Sequence, residues 1–184
     1  MDSPPENPIS LDAQVQNWLA QCPFLHDKRP TWDVYFLMLA FIASRRSSCF
    51  RNKVGAVIVK DKDVISTGYN SAPSPQQNCI ELGYCYRDRH HIPSGTQLER
   101  CRSSGSHAES NAIALAAKNG HSTQGAELYL YGHQYICNFC RGIIANSGIV
   151  HVKHLRDDGI IITYHVQADW AINQLDTEEK DTVP

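Results

Sequence analysis

Hydrophobic and polar positions change period several times along this chain, and each change marks an element. Leu11, Val15, Trp18 and Leu19 recur at helical spacing in LDAQVQNWLAQC, which predicts a short amphipathic helix ahead of the main domain. RPTWDVYFLMLAFIASRRSS has a broader apolar face, and Pro30 with Thr31 suits a helix start, so a core helix is expected there. KVGAVIVKD and DVISTGYN are β-branched runs split by KDKD, a hairpin signal. AELYLYG, GIVHVKH and GIIITYHV read as three further strands. Between them, helices are expected over about 107–118 and about 138–147. In the first of these, Ile113, Leu115 and the alanines are expected to pack under the sheet. Strand–helix–strand alternation in this second half implies right-handed crossovers and parallel pairing. The expected fold class is α/β: a three-layer α/β/α sandwich with a mixed sheet of about five strands, antiparallel at its hairpin end. No internal repeat interrupts it.

The stretch 71–106 breaks the pattern. It has three prolines, Cys79, Cys85 and Cys101, and little periodicity, so it reads as a loop insertion. A connection this long is usually functional or tied down by something it binds. Residues 1–10 and 176–184 read as disordered tails, leaving one domain over 11–175.

Composition narrows the function. The chain has 184 residues, enough to bury a core without disulfide staples. Its net charge of −2 argues against a broad surface for duplex nucleic acid, while leaving room for a local cationic pocket. No apolar run reaches the roughly 18 residues needed to span a bilayer. MDSPPENPIS has neither the basic start nor the apolar segment of a secretory signal, so a cytoplasmic location and no membrane partner are expected. In a reducing compartment the seven cysteines (22, 49, 79, 85, 101, 137 and 140) point to metal rather than to disulfides.

Two short motifs carry the chemistry: His107-Ala108-Glu109 at one predicted helix start and CNFC, Cys137 to Cys140, at another. Positions i and i+3 share a helix face, so both sulfurs can point at one ion. A helix N-terminus favours the thiolate. Two thiolates and one imidazole leave a fourth tetrahedral position open, the arrangement of a catalytic zinc. Two thiolates also cancel the charge of the ion, which makes a nearby proton acceptor valuable. Glu109 sits where it can take a proton from water and pass it to a leaving amine. Either motif alone is weak, since a lone CxxC is more often a structural or redox pair.

With these motifs in place, the chain resembles the cytidine deaminase-like superfamily, most closely the deoxycytidylate (dCMP) deaminases. The likeness runs from about Trp32 to Lys153, through SSCFRNKVGAVIVKDKDVISTGYNSAP, CIELGYCYRDRHHIPSGTQLERC, HAESNAI and CNFCRGIIANSGI. The resemblance implies a catalytic zinc on His107, Cys137 and Cys140, with Glu109 shuttling protons. It implies that Asn70 helps bind the nucleotide at its sugar and that Arg51 lies near the phosphate, with Arg87, Arg89 and Arg102 as alternatives. Ala108 and Tyr135 complete the implied substrate-binding set. His133 is a further pocket candidate, although Tyr131 and Tyr135 equally suit the end of a strand. Some relatives hold a second, structural zinc, and Cys49, Cys79, Cys85 and Cys101 fall at the corresponding places. His90 or His91 could replace one cysteine, and free thiols are the plainer reading.

The implied reaction is hydrolysis of dCMP to dUMP and ammonia. Alternatives are a modified cytosine nucleotide, another small nitrogen heterocycle, or a zinc-stabilised regulatory module without catalysis. Relatives are commonly homo-oligomers, often hexamers, and some respond to dCTP and dTTP. Three departures border the implied pocket. Ile136 stands where the family has proline, and the connections LYLYGHQYIC and CRSSGSHAE look longer than usual.

Overall fold

The computed structural model describes residues 29–171. The amphipathic helix expected over 11–22, Cys22 and both expected tails lie outside the described residues.

The first core helix, α1 (Trp32–Ser44), starts where the sequence placed it. Thr31 is its N-cap, accepting a hydrogen bond from the Val34 amide, and so satisfies one of the amides the first turn leaves free. The hairpin follows as β1 (Gly55–Lys60) and β2 (Asp63–Tyr69). Its two turn residues, Asp61 (φ 53°) and Lys62 (φ 69°), are both left-handed, the turn conformation that matches strand twist. After the insertion come α4 (Ala108–Lys118), β3 (Glu127–Tyr131), α5 (Asn138–Asn146), β4 (His151–Leu155), β5 (Ile161–His165) and the one-turn α6 (Val166–Asp169).

The five strands form one sheet in the order β2-β1-β3-β4-β5. Parallel pairing is confined to β3 and β4, which α5 connects. The expectation of parallel strands throughout the second half is corrected at β5, which runs antiparallel to β4. Only residues 156–160 join those two strands, too short a link for a crossover back to the same end of the sheet.

Two apolar layers sandwich the sheet. On one face Phe36, Leu37 and Ala40 of α1 meet Val57, Val59, Tyr129 and Leu155. On the other, Ala108 and Ala112 of α4 and Cys140 and Ile144 of α5 meet Ala56, Ile58, Leu128, Leu130 and Val152. Ala116 is buried and Ile113 packs against that layer, but Leu115 is exposed, contrary to expectation. The buried stripe of α4 runs through Ala108, Ala112 and Ala116, and Leu115 falls at its edge. Gly68 makes a close approach to the sheet possible: a Cβ there would stand 2.2 Å from the Ala108 carbonyl oxygen and 2.5 Å from the Ala112 nitrogen. The first turn of α4 is thereby seated directly on β2.

The insertion is not structureless. It carries α2 (Cys79–Leu82), α3 (Tyr86–Arg89) and a 3-10 turn at Leu98–Arg100. Helical periodicity could not announce elements of a single turn. Side chains hold them instead. Asn78 Oδ1 accepts from the Ser48 hydroxyl (2.7 Å) and the Ala72 amide (2.9 Å), while the Asn78 amide donates to Glu81 (3.0 Å). No helix among the described residues is long and apolar enough to cross a membrane.

Candidate active site

Two helix starts converge beside the sheet. His107 is the N-cap of α4 and Cys137 the N-cap of α5, with Cys140 in the first turn of α5. Tertiary packing closes the 30-residue gap between the motifs. His107 Nδ1 lies 3.5 Å from the Cys137 sulfur and 3.4 Å from the Cys140 sulfur. All three ligand atoms fall within 4.8 Å of one another, and among the described residues no other group of three His, Cys, Asp or Glu does so.

The chemistry of this donor set fits zinc. A hydrogen bond from Cys140, opposed by burial and reinforced by His107, holds the Cys137 thiol down at about 4. The Cys140 thiol is pushed up by the same sulfur contact and by burial. Two adjacent thiolates repel, so the second ionises readily only beside a cation. One imidazole and two soft sulfurs at tetrahedral spacing are the ligand types zinc takes.

Glu109 is 5% exposed, and burial raises its carboxyl above the usual range. It lines a cavity with His107 and Cys137, so a buried acid faces the same space as the ligands. Ala108, fully buried, lines the same cavity.

Each remaining predicted site residue has a definite place. Asn70 lines the cavity, but its amide is tied to the backbone: Oδ1 accepts from the Val54 amide and Nδ2 donates to the Asn52 carbonyl, both at 3.0 Å. Arg51 also reaches the cavity, paired with Asp88 at 2.6 Å and donating to the Ile92 carbonyl at 2.8 Å. Arg87 and Arg102 share the cavity, whereas Arg89 stacks outside it on Tyr84 at 3.7 Å. Tyr135 and His133 line it, ring edge to ring face at 4.6 Å. Tyr131 does not; it ends β3 and packs on Phe41 at 4.9 Å. Ile136, in the proline position, is buried in the core.

Cys49, Cys79, Cys85 and Cys101 line the same cavity, although they do not form a three-donor group at ligand spacing. Burial, and then the neighbouring Cys85, Cys49 and Cys101, push the Cys79 thiol up to about 11. His90 and His91 are exposed, and His90 stacks on Tyr86 at 4.2 Å.

Two supports of the site had no signal in the sequence. Buried His154 donates from Nε2 to the Gly132 carbonyl (3.0 Å), and the Gly132 amide donates to the Leu155 carbonyl (3.0 Å). Together they pin the connection carrying His133, Tyr135 and Cys137 to β4. Gly95, a turn residue deep in the insertion, touches Tyr135.

Residues 30–155 match the family described as the cytidine and deoxycytidylate deaminase zinc-binding region. The chain belongs to this family. It is 38% identical over 126 residues to a deoxycytidylate deaminase of Schizosaccharomyces pombe, covering 68% of this chain and 37% of that protein. It is also 38% identical over 134 residues to that of Mycobacterium phage D29, covering 70% and 98%. The chain thus spans well under half of the fission-yeast relative and nearly all of the phage one. Among solved structures, the apo dCMP deaminase of cyanophage S-TIM5 superposes with a TM-score of 0.52 at 28% identity, over 72% of this chain and 90% of that one. The same phage enzyme in complex with dCMP and dUMP gives a TM-score of 0.51 at 28% identity, over 70% and 84%. Membership in the family carries the α/β/α sandwich and the zinc-binding region with it.

Proposed function

We propose that this chain hydrolyses dCMP to dUMP and ammonia. The observation that carries the reading is Glu109, a buried carboxyl facing the same cavity as His107 and Cys137, which cluster with Cys140 at ligand spacing. A buried acid costs free energy unless it is partnered, and besides its own backbone the groups that act on Glu109 are His107, Cys137 and Cys140, the proposed ligands themselves. His107, Cys137 and Cys140 would hold the zinc, which when bound supplies a Lewis acid that makes water nucleophilic at neutral pH. Glu109 takes a proton from the attacking water and delivers it to N3 of the cytosine ring. It then takes the remaining proton from the new C4 hydroxyl and passes it to the departing amine. The C4–O bond forms, the C4–N bond breaks, and one water is consumed for each ammonia released.

Three guanidinium groups support a nucleotide over a free base. Arg51 Nη1, Arg87 Nε and Arg102 Nε are buried without a hydrogen-bond partner among the described residues, and all three side chains line the cavity. Unpaired buried donors of this kind suit a phosphate. Asn70 is the proposed contact to the sugar, through the lone pair and amide hydrogen its backbone bonds leave free. Ala108 and Tyr135 complete the proposed pocket.

A second, structural zinc on Cys49, Cys79, Cys85 and Cys101 is part of the proposal. Its support is their common cavity and the electrostatic pressure they exert on Cys79. Metal analysis at two zinc per chain is expected, and one per chain would remove the second site. Homo-oligomer formation and control by dCTP and dTTP are proposed from family resemblance alone; sizing with each nucleotide tests them.

The decisive experiment incubates purified protein with dCMP, CMP, dCTP and deoxycytidine and follows ammonia. Turnover is expected to be fastest with dCMP. Replacing Glu109 with Ala should cost on the order of 100-fold or more in kcat. Activity on none of the four would overturn the proposed reaction, and an undiminished Glu109→Ala enzyme would overturn the role of Glu109.

A further inference from the structure

The cavity above Glu109 is closed on one side where two loops touch. Gly95, in the turn 93–96, has φ +81°, and a Cβ built there would stand 2.8 Å from the Tyr135 hydroxyl. Tyr135 comes from the connection between β3 and α5, with its ring set against His133. Among the described residues its hydroxyl makes no hydrogen bond, so what it brings to the contact is bulk.

Two arginines fix the turn from beneath. Arg87, 5% exposed, donates from Nη2 to the Pro93 and Thr96 carbonyls at 2.5 and 2.6 Å. Arg51 donates to the Ile92 carbonyl at the base of the same turn. The tyrosine tip therefore rests on a held backbone, at a residue with no side chain to push it away.

A second, open groove runs past this contact, bordered by Glu99, Ser104, Phe139 and Arg141. Gly95, Leu98, His107, Tyr135 and Cys137 line both spaces, which makes them the partition between the cavity and the groove. His107 and Cys137 are ligands and cannot swing aside. Of the two loops, Tyr135 is the large and half-exposed piece, at 44%.

We propose that Tyr135, seated on Gly95, is a size-selecting wall: it confines the ring being deaminated and turns away cytosine nucleotides with bulky ring substituents. The substrate half of this inference rests on the proposed deamination of cytosine nucleotides; the wall itself does not. Removing the ring by Tyr135→Ala would merge the cavity with the groove. Adding one carbon by Gly95→Ala would lift the tyrosine off its seat and open the same side partway.

The test compares kcat/KM for dCMP with that for dCMP carrying a 5-propynyl group, in wild type, Tyr135→Ala, Tyr135→Phe and Gly95→Ala. The ratio of bulky to plain substrate is expected to rise about tenfold or more in Tyr135→Ala, less in Gly95→Ala, and within about twofold in Tyr135→Phe, which keeps the bulk. A second measurement needs no turnover: the rate at which excess 4-(2-pyridylazo)resorcinol captures zinc from each holoprotein. Capture should speed up in Tyr135→Ala and stay at the wild-type rate in Tyr135→Phe. An unchanged ratio in Tyr135→Ala overturns the selectivity, and unchanged capture in that variant overturns the wall. If the wild type deaminates no cytosine nucleotide, the assigned reaction fails, and zinc capture still decides whether the wall exists.

Discussion

Single residues in this protein act through what surrounds them. Glu109 sits on the first turn of a helix, where a carboxylate would ordinarily be favoured, yet burial raises its carboxyl instead. His154 makes the same point for a base. Burial holds its imidazole below the ordinary value of 6.5, and the neutral ring donates to Gly132. Below pH 6.5 the unfolded chain takes up a proton that the folded chain refuses, so the stability owed to His154 is complete above that pH and is lost as pH falls. Melting curves between pH 5 and 8 should show this slope, at most about 1.4 kcal/mol per pH unit for one proton. His154→Gln, which cannot titrate, should flatten it. A mutant slope equal to that of the wild type would mean that other groups set the acid limit.

Elements place these residues. The hairpin β1–β2 approaches a helix on each face through glycine: a Cβ at Gly55 would stand 2.1 Å from the Ala40 carbonyl of α1, and one at Gly68 would meet the first turn of α4. Both substitutions to alanine should destabilise, each by about 1–3 kcal/mol, because backbone must move to make room. They should differ at the site. Gly68→Ala lifts the turn bearing His107 and Glu109, so zinc affinity and kcat fall beyond what lost stability explains. Gly55→Ala displaces α1 on the opposite face and should leave zinc affinity near the wild-type value. Zinc titration of the two folded variants separates the effects, and equal losses would show that the contact of α4 with β2 does not set the ligand geometry. The long strands and helices behind this were legible in sequence because apolar periodicity persists over several turns or pleats. The one-turn helices at Cys79–Leu82 and Tyr86–Arg89 were not, since four residues contain no period to detect.

At the scale of the whole molecule, the site joins two helix starts that already pack in one apolar layer. His107 enters from the helix after the insertion, and Cys137 and Cys140 from the helix between β3 and β4. A metal held across that junction should stabilise the fold by binding only the folded state. Chelation of the purified protein is expected to lower the melting temperature. The double variant Cys137→Ala, Cys140→Ala should start lower and respond less. An identical drop in wild type and double variant would place the stabilising metal elsewhere, at the four cysteines of the cavity.

By itself the sequence determined the family and the long strands and helices, and it singled out the proposed ligands and the proposed proton-transfer acid, because these depend on residue types at short spacing and on local period. Three things were decided only by tertiary structure. The antiparallel seating of β5 followed from a link too short to cross the sheet. The exposure of Leu115 followed from which stripe of α4, Ala108, Ala112 and Ala116, was turned to the sheet. The meeting of Gly95 with Tyr135, forty positions later, followed from two loops that no local pattern relates. Residue type and spacing name the chemistry; distance in space decides what that chemistry can reach.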